Sequence, residues 1–116
     1  MVGLRGMPGL SAYAAAKGGL IALSKTAAAE FAPRGVRVNV VNAGMIRTPA
    51  NERFQKLSPE IAKRAIESHA LGRMGEPEEV AEMAVWLLSA RSSFVTGECL
   101  AVDGCSQVKA TTFPVD

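Results

Sequence analysis

Two short strand-like segments, the β-branched run 36–41 and the segment 98–102, are separated along the chain by a long stretch of helix signals. A segment that precedes both, 11–32, has the alanine content of a long helix, and the stop signal Pro33-Arg34-Gly35 follows it. Strands that are joined by a helical crossover pair in parallel, because a tight turn cannot connect parallel strands. The order helix, strand, helices, strand therefore predicts an α/β fold with two parallel strands.

The first helix is predicted to begin after Ser11 as its N-cap and to end where Pro33 and Gly35 break it. Its apolar residues lie on more than one face, which predicts burial on more than one side. Gly18 and Gly19 interrupt it at a cost of about 1 kcal/mol each relative to alanine. We therefore expect another backbone, either of a sheet or of a partner subunit, to pack closely against this glycine pair.

Three further helix starts follow the first predicted strand. The pairs at 48–49 and 58–59 each place an N-cap residue before a proline, and they predict one or two polar helices within 49–70. Acidic residues open another helix over about 76–90, where they favour the positive end of the helix dipole.

Composition and spacing exclude several classes of function. The 13 basic and 11 acidic residues are scattered, so no basic stripe predicts a nucleic-acid partner. Charged residues interrupt every apolar stretch, and we expect neither a membrane span nor a signal peptide. Cys99 and Cys105 are too few for a disulfide framework or a metal site, which favours a reduced, cytoplasmic setting. The loop 3–9 has the spacing G-x-x-G-x-x-G with no preceding strand, and we interpret it as a plain loop.

Tyr13 and Lys17 are the residues with the most chemical interest. They are four apart in the predicted helix and so lie on one face of it. An ammonium beside a phenol favours the phenolate, and such a tyrosine can give or take a proton in carbonyl chemistry. The spacing is equally met by an ordinary surface pair, so the two residues alone leave both interpretations open.

Four motifs in order decide between them: Tyr13 with Lys17, then the segments 39–49, 73–81 and 95–104. Together they closely resemble the C-terminal half of the short-chain dehydrogenase/reductases, from Met1 to about Gly104. The resemblance implies the C-terminal half of a Rossmann-like doubly wound parallel sheet. It also implies a cytoplasmic, homotetrameric or dimeric oxidoreductase that uses NAD or NADP on an alcohol or carbonyl substrate.

Individual roles follow from the same resemblance. Tyr13 resembles the catalytic acid/base, and Lys17 the lysine that binds the nicotinamide ribose and favours the phenolate. Gly44, Ile46 and Thr48 match the loop after a strand that contacts the cofactor's nicotinamide and phosphates. Thr48 is also a plausible helix cap, and it can serve both purposes.

The segment 50–71 resembles the family's mobile substrate lid. His69 lies in it, and we expect a packed or solvated histidine rather than a catalytic one. Two departures from the family pattern stand out. Ala43 precedes Gly44 where the family usually has proline, and Cys105 follows Asp103-Gly104 where the family usually has glycine.

The family's Gly-rich cofactor loop, its central asparagine and its catalytic serine have no counterpart in this sequence. By the family's spacing the serine would come immediately before Met1, so we expect Met1 to be internal to a longer protein and residues 1–116 to be one partial domain. The isolated chain is expected to lack dehydrogenase activity and to be poorly soluble or oligomeric. The alternative is an inactive truncated member that serves only as an oligomerisation or interaction fragment.

Overall fold

The computed structural model describes residues 8–108, so most of the loop at 3–9 lies outside the described residues. Helices and strands follow the predicted order of helix, strand, helices and strand, which confirms the α/β class. The elements are α1 (Ser11–Phe31), β1 (Val40–Ala43), α2 (Pro49–Leu57), α3 (Pro59–Glu67), α4 (Pro77–Leu88) and β2 (Cys99–Val102).

The strands β1 and β2 form a two-stranded parallel sheet within the described residues. Val40 is paired with Cys99 at one end of the ladder, and Ala43 is paired with Val102 at the other. The parallel pairing is as predicted, and the second strand begins one residue later than the predicted 98–102. The long helical crossover explains why the strands run in the same direction.

The first strand differs from the predicted 36–41 at both ends. Before the ladder begins, the Val38 N–H is bonded to the hydroxyl of Thr96 at 3.0 Å rather than to a strand carbonyl. At the far end, β2 continues to offer acceptors, and the Gly44 N–H reaches the Val102 carbonyl at 2.9 Å. The partner strand, not the β-branched run, therefore sets where β1 starts and stops.

The start of α1 also differs from the prediction. Leu10 occupies the N-cap position without a side-chain cap bond, and its carbonyl accepts the Ala14 N–H at 2.8 Å. The assignment of Ser11 as N-cap is therefore wrong, because the first helical turn closes one residue earlier. The end of the helix at Phe31 is as predicted, and Gly35 follows in the left-handed conformation at φ 75°.

The described residues do not bury α1 on several sides. Only Ala28 of this helix is buried, while Leu20 and Leu23 are 50% and 64% exposed. A β-carbon added to Gly19 would meet no described atom within 4 Å, so no described backbone packs closely there, and packing against a partner subunit stays a prediction. Two strands with three further helices offer too little surface to cover this helix.

The segment 49–70 forms two helices, α2 and α3, which agrees with the prediction of one or two. Thr48 caps α2, because its hydroxyl accepts the Asn51 N–H at 3.3 Å, whereas Ser58 makes no side-chain cap bond to α3. None of the described helices combines the length and the apolarity that crossing a bilayer requires.

Candidate active site

A cleft of about 750 Å³ runs along β1 to the loop after its carboxyl end, between α1 on one side and α2 and α3 on the other. Tyr13 and Lys17 line it from α1, Gly44 and Met45 line it from the loop after β1, and His69 lines it from the end of α3. Ligands of open α/β sheets bind outside the carboxyl ends of the strands, and the part of this cleft at Gly44 and Met45 lies there. We call it the tyrosine cleft.

Tyr13 and Lys17 lie on the same face of α1, as their spacing predicts. The Nζ atom of Lys17 is 5.4 Å from the centre of the Tyr13 ring, within the range of a cation–π contact. The tyrosine is 51% exposed, so its ring is open to a molecule in the cleft. Lys17 forms no ion pair with any carboxylate among residues 8–108.

The three predicted loop residues do not share one position. Gly44 lines the tyrosine cleft and also an adjoining pocket of about 230 Å³, which we call the smaller pocket; Ile46 lines only the smaller pocket of these two. Thr48 lines neither cavity and caps α2. Gly44 therefore shares one cavity with Tyr13 and Lys17 and the other with Ile46.

The loop after β1 is held from the side of α4. The Gly75 N–H is bonded to the Met45 carbonyl at 2.9 Å, and the Arg47 N–H is bonded to the Gly75 carbonyl at 2.8 Å. The Arg47 side chain adds an ion pair with Glu76 at 3.0 Å. A β-carbon on Gly75 would lie 2.8 Å from Cδ1 of Ile46, so the two segments touch closely. These contacts could not be predicted from the sequence, because the loop after β1 and the segment 75–76 are distant along the chain.

His69 is buried, with 2% of its surface exposed, and both of its ring nitrogens are hydrogen-bonded. Nε2 lies 2.9 Å from the Met45 amide nitrogen, and Nδ1 lies 2.8 Å from the Ala65 carbonyl oxygen. The packed alternative for His69 therefore matches the structure. Its contact with Met45 could not be read from the sequence.

Two carboxylates that line the smaller pocket, those of Glu79 and Asp103, are stabilised in their charged forms. The hydrogen bond from Arg73, at 2.7 Å, and the Glu76 backbone N–H lower the pKa of Glu79 to about 2. Burial alone would raise the pKa of Asp103, but hydrogen bonds from Ser106, Gln107 and Cys105 hold that pKa below its ordinary value. No cluster of His, Cys, Asp or Glu within 8–108 could hold a metal ion.

A family model described as enoyl-(acyl carrier protein) reductase matches residues 1–105, nearly the whole chain. The similar proteins that have been characterised or solved include short-chain dehydrogenases and reductases. The chain belongs to the short-chain dehydrogenase/reductase family. Its fold, its parallel strands and its motif order are therefore those that the sequence predicted.

Two enzymes of this family show the degree of similarity. The 3-oxoacyl-[acyl-carrier-protein] reductase FabG of Thermotoga maritima is 45% identical over 104 residues, which cover 90% of this chain and 41% of that protein. The inactive 2-(S)-hydroxypropyl-CoM dehydrogenase 2 of Xanthobacter autotrophicus is 42% identical over 107 residues, or 90% of this chain and 46% of that protein. The chain thus spans less than half the length of these short-chain dehydrogenase/reductase relatives.

A solved member of the family has the same backbone arrangement. The structure of a protein described as a 2-deoxy-D-gluconate 3-dehydrogenase from Agrobacterium tumefaciens, with bound NADP, superposes with a TM-score of 0.87 at 33% identity. The match covers 93% of this chain and 44% of that one. This similarity confirms a Rossmann-like short-chain dehydrogenase/reductase fold for the described residues.

Proposed function

We propose that this chain carries the tyrosine–lysine half of an NAD(P)-dependent oxidoreductase that interconverts an alcohol and a carbonyl. The observation that carries the proposal is the shared cleft: Tyr13, Lys17 and Gly44 line one cavity, which reaches the carboxyl end of β1. A surface pair without function has no reason to face such a cavity. The contact of 5.4 Å between the ammonium and the phenol ring supports an acid/base role for the tyrosine.

Tyr13 and Lys17 have different roles in the proposed reaction. A nicotinamide cofactor, when bound, supplies or accepts the hydride. The Tyr13 hydroxyl donates a proton to the substrate oxygen during reduction and takes it back during oxidation. The Lys17 ammonium stabilises the phenolate that remains, and it has donors for the hydroxyls of a ribose.

The cleft fits the nicotinamide end of such a cofactor. Its volume of about 750 Å³ is within the usual range for small-molecule sites. Lys17 has no carboxylate partner among the described residues, so its donors are available to a ligand. We assign the direct contact with the nicotinamide to Gly44. Ile46 and Thr48 hold the loop in place, Ile46 through its contact with Gly75 and Thr48 as the cap of α2.

The substrate class is a small alcohol or carbonyl compound, and the motifs lean towards sugar or polyol dehydrogenases and 3-oxoacyl reductases. We propose further that the 116-residue chain by itself does not turn over. Its sequence contains no G-x-G-x-x-G loop for the cofactor's pyrophosphate. We also propose that the protein forms a homo-oligomer.

A second candidate is an interaction fragment without catalysis. The exposed side chains of Leu20 and Leu23 on α1 favour it, because exposed apolar surface of this kind promotes association. This candidate predicts stable self-association of the chain without nicotinamide binding.

A fusion experiment tests the main proposal. The chain is joined behind the upstream half of the Thermotoga maritima reductase, and reduction of a 3-oxoacyl thioester and oxidation of cyclohexanol are followed by NAD(P)H absorbance. We expect turnover in the fusion and none in the chain alone, and a loss of at least about 100-fold on Tyr13→Phe. Equal activity of the Tyr13→Phe fusion would refute the catalytic role. A fusion that associates but binds no nicotinamide would favour the second candidate.

A further inference from the structure

We propose that His69 is a positioning residue that fastens the loop after β1 to the end of α3. It thereby fixes the wall of the tyrosine cleft that faces the cofactor, and this consequence for catalysis rests on the proposed function. The imidazole is the one side chain that hydrogen-bonds both the loop backbone at Met45 and the α3 backbone at Ala65 within the described residues.

The two hydrogen bonds require one particular form of the imidazole. The Met45 N–H can only donate, so Nε2 must accept, and the Ala65 carbonyl can only accept, so Nδ1 must carry the proton. A neutral ring with its proton on Nδ1 satisfies both at once. Loss of either partner would leave a buried polar atom without its bond, which favours a single arrangement of loop and helix.

The position of the ring links the loop to both cavities. His69, Gly44 and Met45 line the tyrosine cleft and also line the smaller pocket. The imidazole therefore forms part of the wall that separates them. A shift of this ring would move the backbone that carries Gly44, on which the proposed nicotinamide contact depends.

The contacts of the α3 end make the arrangement stiff. The His69 backbone N–H is bonded to the Ile66 carbonyl at 3.0 Å, and the His69 carbonyl accepts the Gly72 N–H at 3.0 Å. The neighbouring Ser68 hydroxyl donates to the Ala65 carbonyl at 2.7 Å and lies 3.5 Å from Nδ1 of His69, but it has no bond to the loop. Ser68 therefore offers a control for the Nδ1 side of the ring, since Ser68→Ala removes a hydroxyl beside Nδ1 and keeps the bond from Met45 to Nε2.

The first test uses the whole chain and amide hydrogen exchange. His69→Asn places an amide near Nδ1 and loses the acceptor for Met45, whereas His69→Gln places an acceptor near Nε2. We expect exchange at the Met45 amide to rise about tenfold in His69→Asn and to return towards the native rate in His69→Gln. Ser68→Ala should leave the Met45 amide unchanged. The amides of β1 report global unfolding and correct for it.

The second test separates this inference from the proposed function. In the fusion with the Thermotoga maritima half, His69→Asn should raise the KM for NADP or NAD about tenfold, with a smaller effect on kcat, and His69→Gln should reverse most of it. If the native fusion is inactive but Met45 exchange responds as described, the result contradicts the proposed function and still supports the role of His69 in fastening the loop. Equal Met45 exchange in the native and His69→Asn chains would overturn the inference.

Discussion

The imidazole of His69 occupies the space that a β-carbon on Gly44 would need. Such an atom would lie 2.7 Å from Nε2 of His69, and it would lie 2.8 Å from the Cα atom of Asp103. Real β-carbons do not approach other atoms this closely, so something must shift if one is added. The glycine of this loop is therefore required by packing within the chain, independently of any cofactor.

This close approach predicts that Gly44→Ala destabilises the chain. The Asp103 contact is with backbone that cannot rotate away, and overpacking of this kind costs about 1–3 kcal/mol. Gly19→Ala is the matched control, because open space surrounds Gly19 among the described residues and alanine favours a helix by about 1 kcal/mol. Urea unfolding followed by circular dichroism should move in opposite directions for the two variants. Equal or greater stability of Gly44→Ala would contradict the packing argument.

The sequence predicted the elements of the fold better than their limits. Thr48 and Pro49 marked the start of α2 correctly, because a cap and a proline act within a few residues of each other. The bounds of β1 were missed, because they depend on where β2 offers hydrogen-bond partners far along the chain.

The same distinction between local and long-range contacts applies to the candidate site. The face shared by Tyr13 and Lys17 follows from local helix geometry and was predictable. The contact of His69 with Met45 joins the end of one helix to a loop, and no local pattern encodes it. The described residues leave most of α1 exposed, because apolar residues in a sequence indicate what can be buried and not what covers it.

Lys17→Met should weaken cofactor binding in the active fusion. The substitution keeps an unbranched apolar side chain and removes the ammonium that lies 5.4 Å from the Tyr13 ring. We expect kcat/KM to fall about 100-fold or more, because both the phenolate and the ribose lose a charged partner. Lys25→Met, on the same helix but outside the tyrosine cleft, should leave kcat/KM within about twofold. Steady-state kinetics with NAD and NADP measure the effect, and a similar loss in both variants would argue against a special role for Lys17.

The Glu79 carboxylate should make stability depend on pH at the acid end. Its pKa is about 2 in the folded chain, below the ordinary value of 4.5, because Arg73 and the Glu76 N–H favour the charged form. A carboxylate whose pKa is lower in the folded chain than in the unfolded chain makes its full contribution to stability at pH values above the unfolded-state pKa. That contribution is lost as the pH falls from 4.5 towards about 2.

The measurement compares urea midpoints of the native chain and Glu79→Gln across this pH range. The stability difference should be largest near neutral pH, shrink below pH 4.5 and disappear near pH 2. Because the ion pair is exposed, solvent screens it and the difference should be small. Glu82→Gln on the same helix, which has no ion pair within 8–108, should show no such trend. A pH-independent difference for Glu79→Gln would mean that the carboxylate's charge is not its source.

Cys105→Gly should stabilise the turn that follows β2. Cys105 has φ 64°, in the left-handed region, where a residue with a β-carbon is strained by about 1–2 kcal/mol. Its side chain is exposed, so its removal costs little packing, and the Asp103 carboxylate still accepts its backbone N–H at 3.0 Å. The greater freedom of glycine in the unfolded chain offsets part of the gain, and we expect a net stabilisation of about 0.5–1 kcal/mol.

The same substitution in β2 provides the control for this last prediction. Cys99 is partly buried and lies in an extended strand, so Cys99→Gly removes packing and adds backbone entropy without relieving strain. The two glycine variants should therefore shift the urea midpoint in opposite directions under reducing conditions. If Cys105→Gly lowers the midpoint as Cys99→Gly does, the left-handed conformation at Cys105 carries no strain, and the departure from the family's glycine has no cost to the fold.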